Sequence, residues 1–594
     1  GPAEANDPTA STETTAGETE APTLSTNIEK LNFVVGQSQE FTFTTTAGNK
    51  KGTMVYGTSG FSDQEAIQTL EYYEVKDGKW YALEGSFGSE SVGFPLADST
   101  STFRVTFKQA GNYSFTAKMV AVDGGSEVCS VEVAFTVAPA PVTDPVAKIG
   151  DVGYATLAEA INAVEPGETI VLQKDIEECE LVDINKSGVE FVINFNNHKL
   201  QSVSKSFAIN VQAGNVTLQN GTVSGGLGGI NCEAGANLTL VEMDVSQRKA
   251  ETGETDLSAI KNSGTVTIKS GTYNTANGTA QPTIWNFAEM VIKGGTFKTG
   301  ATDSGWSVMI CRGGETPSTN TKITGGTFIN EVGYGITCSN GGNVEFGGTA
   351  KVQSVAPALG GNNTTAEENF TVTGGELVSS QSAAIFFPAE GELNISGGTI
   401  TGLTGIHALM GDINISGGTI TGNASESNIE DGYPNSGTGP QSNGSALLLV
   451  SNYYTTSATG DNGLRVTITG GTFNKSAEMK DVGVIDHLKP DDPKDTEFTI
   501  SITGGNFSAE PEKDYIATGY AAVKDESTGT WTVGVADGME ADASASGGTA
   551  SADVGGSFVT DSEGNGEGVS TDNTTIQIDV TTGTGGTEGQ PNPD

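Results

Sequence analysis

The chain has 594 residues, 82 of them Gly, with 7% aromatic and 17% charged residues, and it is rich in Thr, Ser and Asn. That composition is turn-rich and β-leaning, and the length allows several domains. Its 29 basic against 73 acidic residues give a net charge of −44, which excludes a general nucleic-acid or anionic-membrane binder, because either needs a basic footprint.

Residues 1–23 are acidic, Thr-rich and nearly free of large apolar groups, so they are expected to be disordered. Residues 24–139 read as an all-β sandwich. Short runs such as Phe41-Thr-Phe-Thr, Leu70-Glu-Tyr-Tyr, Trp80-Tyr-Ala-Leu, Phe103-Arg-Val-Thr-Phe and Val131-Glu-Val-Ala-Phe-Thr-Val alternate apolar and polar positions between Gly, Asn and Asp turns. Ala110-Gly-Asn-Tyr113 before a strand resembles the tyrosine corner of immunoglobulin-like folds, although the paired cysteines are missing and Cys129 has no partner here.

A Pro-rich linker occupies 140–147, and a capped repeat domain is expected over 148–534. Its entrance is a short amphipathic helix, Tyr154 to Val164. Thr156 and Glu159 form a capping box, and Leu157, Ala160, Ile161 and Val164 share one face. Pro166-Gly167 ends the helix and Thr169-Ile-Val-Leu172 opens the first coil.

From about Phe207 to Phe507 the chain repeats one phrase. Its clearest copies are Asn394-Ile-Ser-Gly-Gly-Thr-Ile-Thr401 and Asn414-Ile-Ser-Gly-Gly-Thr-Ile-Thr421. Looser copies place the key corner at Gly221, Gly271, Gly295, Gly326, Gly348, Gly375, Gly471 and Gly505, and alignment puts a degenerate copy at Met243. Most intervals lie between 20 and 34; the one from Gly418 to Gly471 is 53 and carries an inserted loop. Each unit is a period-two strand, a Gly corner and a second short strand, with no helical pattern between units. That predicts a right-handed parallel β-helix of about 11 coils, a rod on the order of 50 Å long.

The run before each corner stacks as well. One inward column reads Ile209, Ile230, Ile260, Ile284, Met309, Ile336, Leu359, Ile385, Ile406, Leu447 and Val484. A second reads Val211, Cys232, Asn262, Asn286, Cys311 and Cys338. Cys232, Cys311 and Cys338, with Cys129 and Cys179, lack CxxC spacing and are read as buried small hydrophobes.

At the far end, Gly519-Tyr-Ala-Ala-Val and Gly529-Thr-Trp-Thr-Val533 read as a closing hairpin, with Tyr520 and Trp531 over the last coil. Residues 535–594 are a low-complexity tail with one strand-like piece, Thr575 to Val580. The opening Gly1-Pro2 without Met reads as a protease scar, so a leader and a wall anchor are expected outside this sequence.

Lys148-Ile-Gly-Asp-Val-Gly-Tyr-Ala-Thr-Leu-Ala-Glu-Ala-Ile, the serial Ile-Ser-Gly-Gly-Thr-Ile phrases and the closing Gly-Tyr-Ala-Ala-Val with Gly-Thr-Trp-Thr-Val together resemble the pectate-lyase-like β-helix domains of large surface proteins from Gram-positive gut bacteria. The resemblance covers roughly 146–534. The sandwich before it resembles the immunoglobulin-like modules joined to such domains. It implies an extracellular, surface-attached, monomeric adhesin whose partner is host mucin glycan or a secreted host protein such as immunoglobulin. Fold analogy leaves two alternatives, a polysaccharide lyase or glycoside hydrolase and a structural stalk.

For chemistry, no catalytic or metal site and no cofactor is expected. The acidity permits loose Ca²⁺ association, but there is no DxDxDG-type loop, nucleophile elbow, phosphate loop or zinc spacing. Val484-Ile-Asp-His487 resembles the Trp-Ile-Asp-His phrase of pectate lyases without its Trp and without Arg-x-Pro-x-x-Arg downstream. On the enzyme alternative Asp486 would bind metal or His487 would act as base. The binding reading rests on the outward column between the two inward ones: Asn210, Asn231, Lys261, Trp285, Ile310, Thr337, Gly360, Phe386, His407, Leu448 and Ile485. Trp285, Phe386 and His407, with Tyr453 and Tyr454 of an insert, are the candidate ligand contacts, unless the inserts fold over this face and bury it.

Overall fold

A computed structural model describes residues 19–83, 93–313, 319–361, 366–431, 433, 439–451, 459–489 and 497–537, and the backbone of 551–552 and 558–559. The fold is all-β and divides into two units, Gly1–Thr143 and Asp144–Asp594.

In the first unit two five-stranded sheets share one core. One sheet runs Thr23–Thr26, Ser38–Thr46, Ser99–Phe107, Ile67–Glu74, Lys79–Ala82 in spatial order; the other runs Phe33–Val34, Glu127–Ala138, Gly111–Ala121, Met54–Thr58, Phe94–Pro95. Alternation sends Phe41, Phe43, Phe103, Val105 and Phe107 inward to meet Phe33, Ala117, Val133 and Val137. Cys129 is buried in the same core. The Tyr113 hydroxyl donates to the Gln109 carbonyl at 2.9 Å, tying the strand start back to the turn before it.

The second unit opens with the hairpin Ala147–Ile149 and Val152–Tyr154 and the helix Leu157–Ala163. Thr156 Oγ1 accepts the Glu159 N–H at 3.1 Å, and Leu157, Ala160, Ile161 and Val164 are buried against the core. Beyond it strands pair in parallel with the strand one turn later, from Thr169–Leu172 on Val182–Asn194 to Thr472–Asn474 on Asn506–Phe507. The aliphatic column is in the expected register from Ile209 through Ile230, Ile260, Ile284, Met309, Ile336, Leu359, Ile385 and Ile406 to Leu447.

The last step differs from expectation. Leu447 pairs with Ile485 rather than Val484, so the outward position falls to Asp486 rather than Ile485. The cause is local: the N–H groups of both Ala446 and Leu447 donate to the Val484 carbonyl (3.0 and 3.2 Å), which consumes one residue before pairing resumes.

Inside, Val211, Cys232, Asn262, Asn286, Cys311 and Cys338 are all buried. Burying an amide costs free energy unless it is hydrogen-bonded. Here Asn262 donates to Asn286 Oδ1 and Asn286 to Thr321 Oγ1, both at 2.9 Å. Met243 stands in register between Gly221 and Gly271. The Gly221 and Met243 copies turn differently from the rest: the positive φ falls one residue earlier, at Asn220 (58°) and Glu242 (49°), whereas Gly271 itself has φ 116°. A side chain at 243 is therefore sterically allowed. Past the corner Tyr273, Phe297 and Phe328 stack at 5.1 and 4.6 Å on successive turns.

At the far end Asn506–Phe507 pairs antiparallel with Trp531–Val535, itself hairpinned to Tyr520–Lys524. Tyr520 and Trp531 pack against the core as expected. Antiparallel strands thus finish the parallel stack at both ends, which protects edge groups from pairing with another chain.

Candidate ligand-binding face

The strand register sets Asn210, Asn231, Lys261, Trp285, Ile310, Thr337, Gly360, Phe386, His407, Leu448 and Asp486 on one outward line. The line is open at one end and covered in the middle. Asn210, Asn231, Lys261 and Trp285 are half-buried, whereas Ile310 is 8% exposed, Phe386 5% and His407 0%.

Two local features make the cover. Gly360 leaves a seat for the Tyr334 ring, whose nearest carbon lies 3.3 Å from where a Cβ at Gly360 would stand. Farther along, Ile429 and Tyr433, from the insert after Thr421, pack on Phe386, Leu409, Leu448 and Val450. The insert is pinned at His407: Gln441 donates its backbone N–H to Nδ1 at 3.1 Å, and Nε2 meets the Tyr433 hydroxyl at 2.5 Å. Phe386 and His407, expected as ligand contacts, therefore lie beneath this insert and offer no free surface. Tyr453 and Tyr454 fall outside the described residues.

Trp285 is placed differently. Its ring stacks on Phe287 with centroids 5.3 Å apart and planes at 18°. The indole N–H donates to Gln281 Oε1 at 2.5 Å, and Lys261 Nζ stands 5.6 Å above the Phe287 ring. Phe287 was not singled out from sequence, although its spacing of two from Trp285 carries the alternation one step past the strand's end. Trp306, half-buried, lies three residues before Met309, the offset that Gln281 has before Ile284.

Toward the other end the face becomes polar. Asn231 donates to Asn210 Oδ1 at 2.8 Å, and Asn210 Nδ2 lies 3.4 Å from both Asp183 Oδ1 and Glu233 Oε1. An aromatic pair with one ammonium thus adjoins a row of amides and carboxylates, able to stack a flat ring and hydrogen-bond its substituents.

The residues named for catalysis do not converge. Asp486 accepts from Asn443 Nδ2 at 2.6 Å, and burial raises its pKa. His487 points to the other side of the strand, hydrogen-bonded to Ser451 Oγ at 2.7 Å and stacked on Phe498 at 3.8 Å; burial pushes it down to about 4. As consecutive strand residues they face opposite ways and cannot act on one substrate together. In the loop between Ser246 and Ile260, Glu254 is held at about 2 by a two-pronged bond from Arg248 (2.8 Å each), and Asp256 is paired with Lys249 at 2.7 Å. Among the described residues no group of three His, Cys, Asp or Glu could hold a metal ion, and no helix is long and apolar enough to cross a membrane.

Comparison with known proteins adds no relative: no protein-family model, no curated protein and no solved structure matches the chain.

Proposed function

We propose that this chain is a non-catalytic surface adhesin, an immunoglobulin-like module followed by a capped right-handed parallel β-helix, which binds host mucosal material. The Tyr113 to Gln109 bond and the shared two-sheet core support the module; the turn-by-turn parallel register and the finished ends support the β-helix. The partner is mucin glycan or a secreted host protein such as immunoglobulin, met at the bacterial surface. One observation carries the reading. The outward line is sealed from Ile310 to Leu448, yet it leaves open the step where Trp285 stacks on Phe287 beside Lys261.

The test is a binding screen of the whole chain against mucin, plant polysaccharides and human secretory immunoglobulin, with product analysis on the same polysaccharides. Saturable binding without products, weakened tenfold or more by Trp285→Ala, is the expected result. Oligosaccharide release, or binding of mucin or immunoglobulin that is indifferent to Trp285→Ala, overturns it.

A further inference from the structure

Strand alternation in the first unit leaves the outer face of the sheet that holds Ser38–Thr46, Ser99–Phe107, Ile67–Glu74 and Lys79–Ala82 with an unusual composition. Phe41, Phe103, Val105 and Leu70 turn inward, so Thr102, Arg104, Glu71, Tyr73 and Trp80 turn out. The outward positions of these four strands carry no Leu, Ile, Val, Met or Phe. The large non-polar groups there are two aromatic rings.

Those rings are held in place. Tyr73 and Trp80 are cross-strand partners, with centroids 5.3 Å apart and planes at 55°. The Arg104 guanidinium lies 4.3 Å over the indole and is fixed by Glu71, whose two oxygens take Nε at 2.5 Å and Nη2 at 3.1 Å. Glu71 engages two of the five guanidinium N–H donors. Tyr73 is 37% exposed.

We infer that this face is a second binding site, for a neutral glycan. Rings set singly in a surface of hydroxyls, carboxylates and a guanidinium match a sugar, whose C–H faces stack on aromatics and whose hydroxyls need hydrogen-bonding neighbours. A lipid surface would find no aliphatic groups here to bury. Charge selects further: Glu71 neutralises Arg104, Glu40 lies opposite Arg104 in register, and the chain carries −44, so an acidic sugar is repelled. Because Tyr, Trp and the braced Arg are already ordered, little side-chain entropy is lost on binding. The site stands independently of the Trp285 reading.

The test is native affinity electrophoresis of the full chain in gels containing galactomannan, xyloglucan or hydroxyethylcellulose, with polygalacturonate as the charged control. Retardation is expected in at least one neutral gel and not in polygalacturonate. Tyr73→Ala, an exposed position that leaves the core untouched, and Trp80→Ala should each weaken it tenfold or more; Trp80→Phe should keep part of it, and Trp285→Ala all of it. Absence of retardation in every neutral gel overturns the proposal. So does retardation that survives the Tyr73→Ala, Trp80→Ala double variant, or that is lost in Trp285→Ala.

Discussion

His407 Nδ1 accepts the backbone N–H of Gln441 at 3.1 Å, so the proton of the neutral imidazole sits on Nε2 and faces the Tyr433 hydroxyl oxygen. A second proton at Nδ1 would set two donors against each other in a fully buried site, and burial holds His407 at about 3. The ordinary value in an unfolded chain is about 6.5. The folded pKa is depressed, so the unfolded state takes up the proton first as pH falls. Stability is complete above pH ~6.5 and is lost below it by up to roughly 1.4 kcal/mol per pH unit for this residue. His487, held at about 4 by burial, acts in the same direction. Carboxylates such as Glu254 enter only near their unfolded value of about 4.3. Urea melts at pH 7, 6 and 5 should therefore show a falling midpoint. His407→Gln, less stable at every pH, should show a shallower fall, and an unchanged slope would refute the assignment.

Much of this was legible in the sequence, for a physical reason. A period-two strand stacked on its neighbours at one spacing puts like on like, so the Ile209 to Leu447 column and even Met243 could be read by alignment. The slip at Ile485 could not, because one carbonyl taking two N–H donors leaves no mark in residue type. Nor could the covering of Phe386 and His407. An outward apolar residue looks the same whether it awaits a ligand or an insert, and only the packing of Ile429 and Tyr433 decides. In the first unit the longer alternating runs were readable, whereas Phe33–Val34 and Phe94–Pro95 are too short to show alternation. Arg104 over Trp80 emerges only once three strands are in register.

Glu242 holds a left-handed backbone (φ 49°) with an exposed side chain, beside the only degenerate corner assigned from sequence. For an L-residue that conformation costs roughly 1–2 kcal/mol, while Gly adopts it freely at an entropic cost of about 0.5–1 kcal/mol. Glu242→Gly should then raise stability by about 0.5 kcal/mol, read as a higher urea midpoint with unchanged slope. The opposite change at Gly271 should be far worse. Its φ is 116°, and a Cβ there would lie 2.1 Å from the Met243 carbonyl oxygen.

The five cysteines differ in reach. Cys129, Cys232, Cys311 and Cys338 are buried, and burial pushes Cys232 up to about 11 and Cys311 to about 12; Cys179 is partly exposed, and burial raises it too. The thiolate is the reactive form. With an aromatic disulfide reagent at pH 8, the native chain should release the chromophore of a single thiol, more slowly than a free thiol would. Five should respond in denaturant, and Cys179→Ser should silence the native reaction. Rapid native release from several thiols would contradict the packing of the inward column.

Arg465 gathers three carboxylates: Asp412 at 2.5 Å, Asp461 at 2.8 Å and Glu497 at 3.2 Å. Asp412 is its register partner on the strand one turn earlier, while Asp461 lies four residues before it, where the chain enters the strand, so the guanidinium ties that entry to the stack. Its hydrogen bond holds Asp461 below the usual carboxylate range. Arg465→Gln leaves the acids facing one another and should cost about 1–2 kcal/mol at low ionic strength, more than an isolated surface pair because several charges share one partner. Part of that loss should return in 0.5 M salt, since the acids are partly exposed and their repulsion is screened. Arg465→Lys should restore only part, because an ammonium cannot reproduce the fork that takes Asp461 through two nitrogens. The depressed Asp461 contributes stability above its unfolded pKa of about 3.8 that is lost as pH falls, so the acid limb of the profile should flatten in Arg465→Gln. A deficit equal at both salt concentrations would mean that Arg465 acts through packing of its stem rather than through charge.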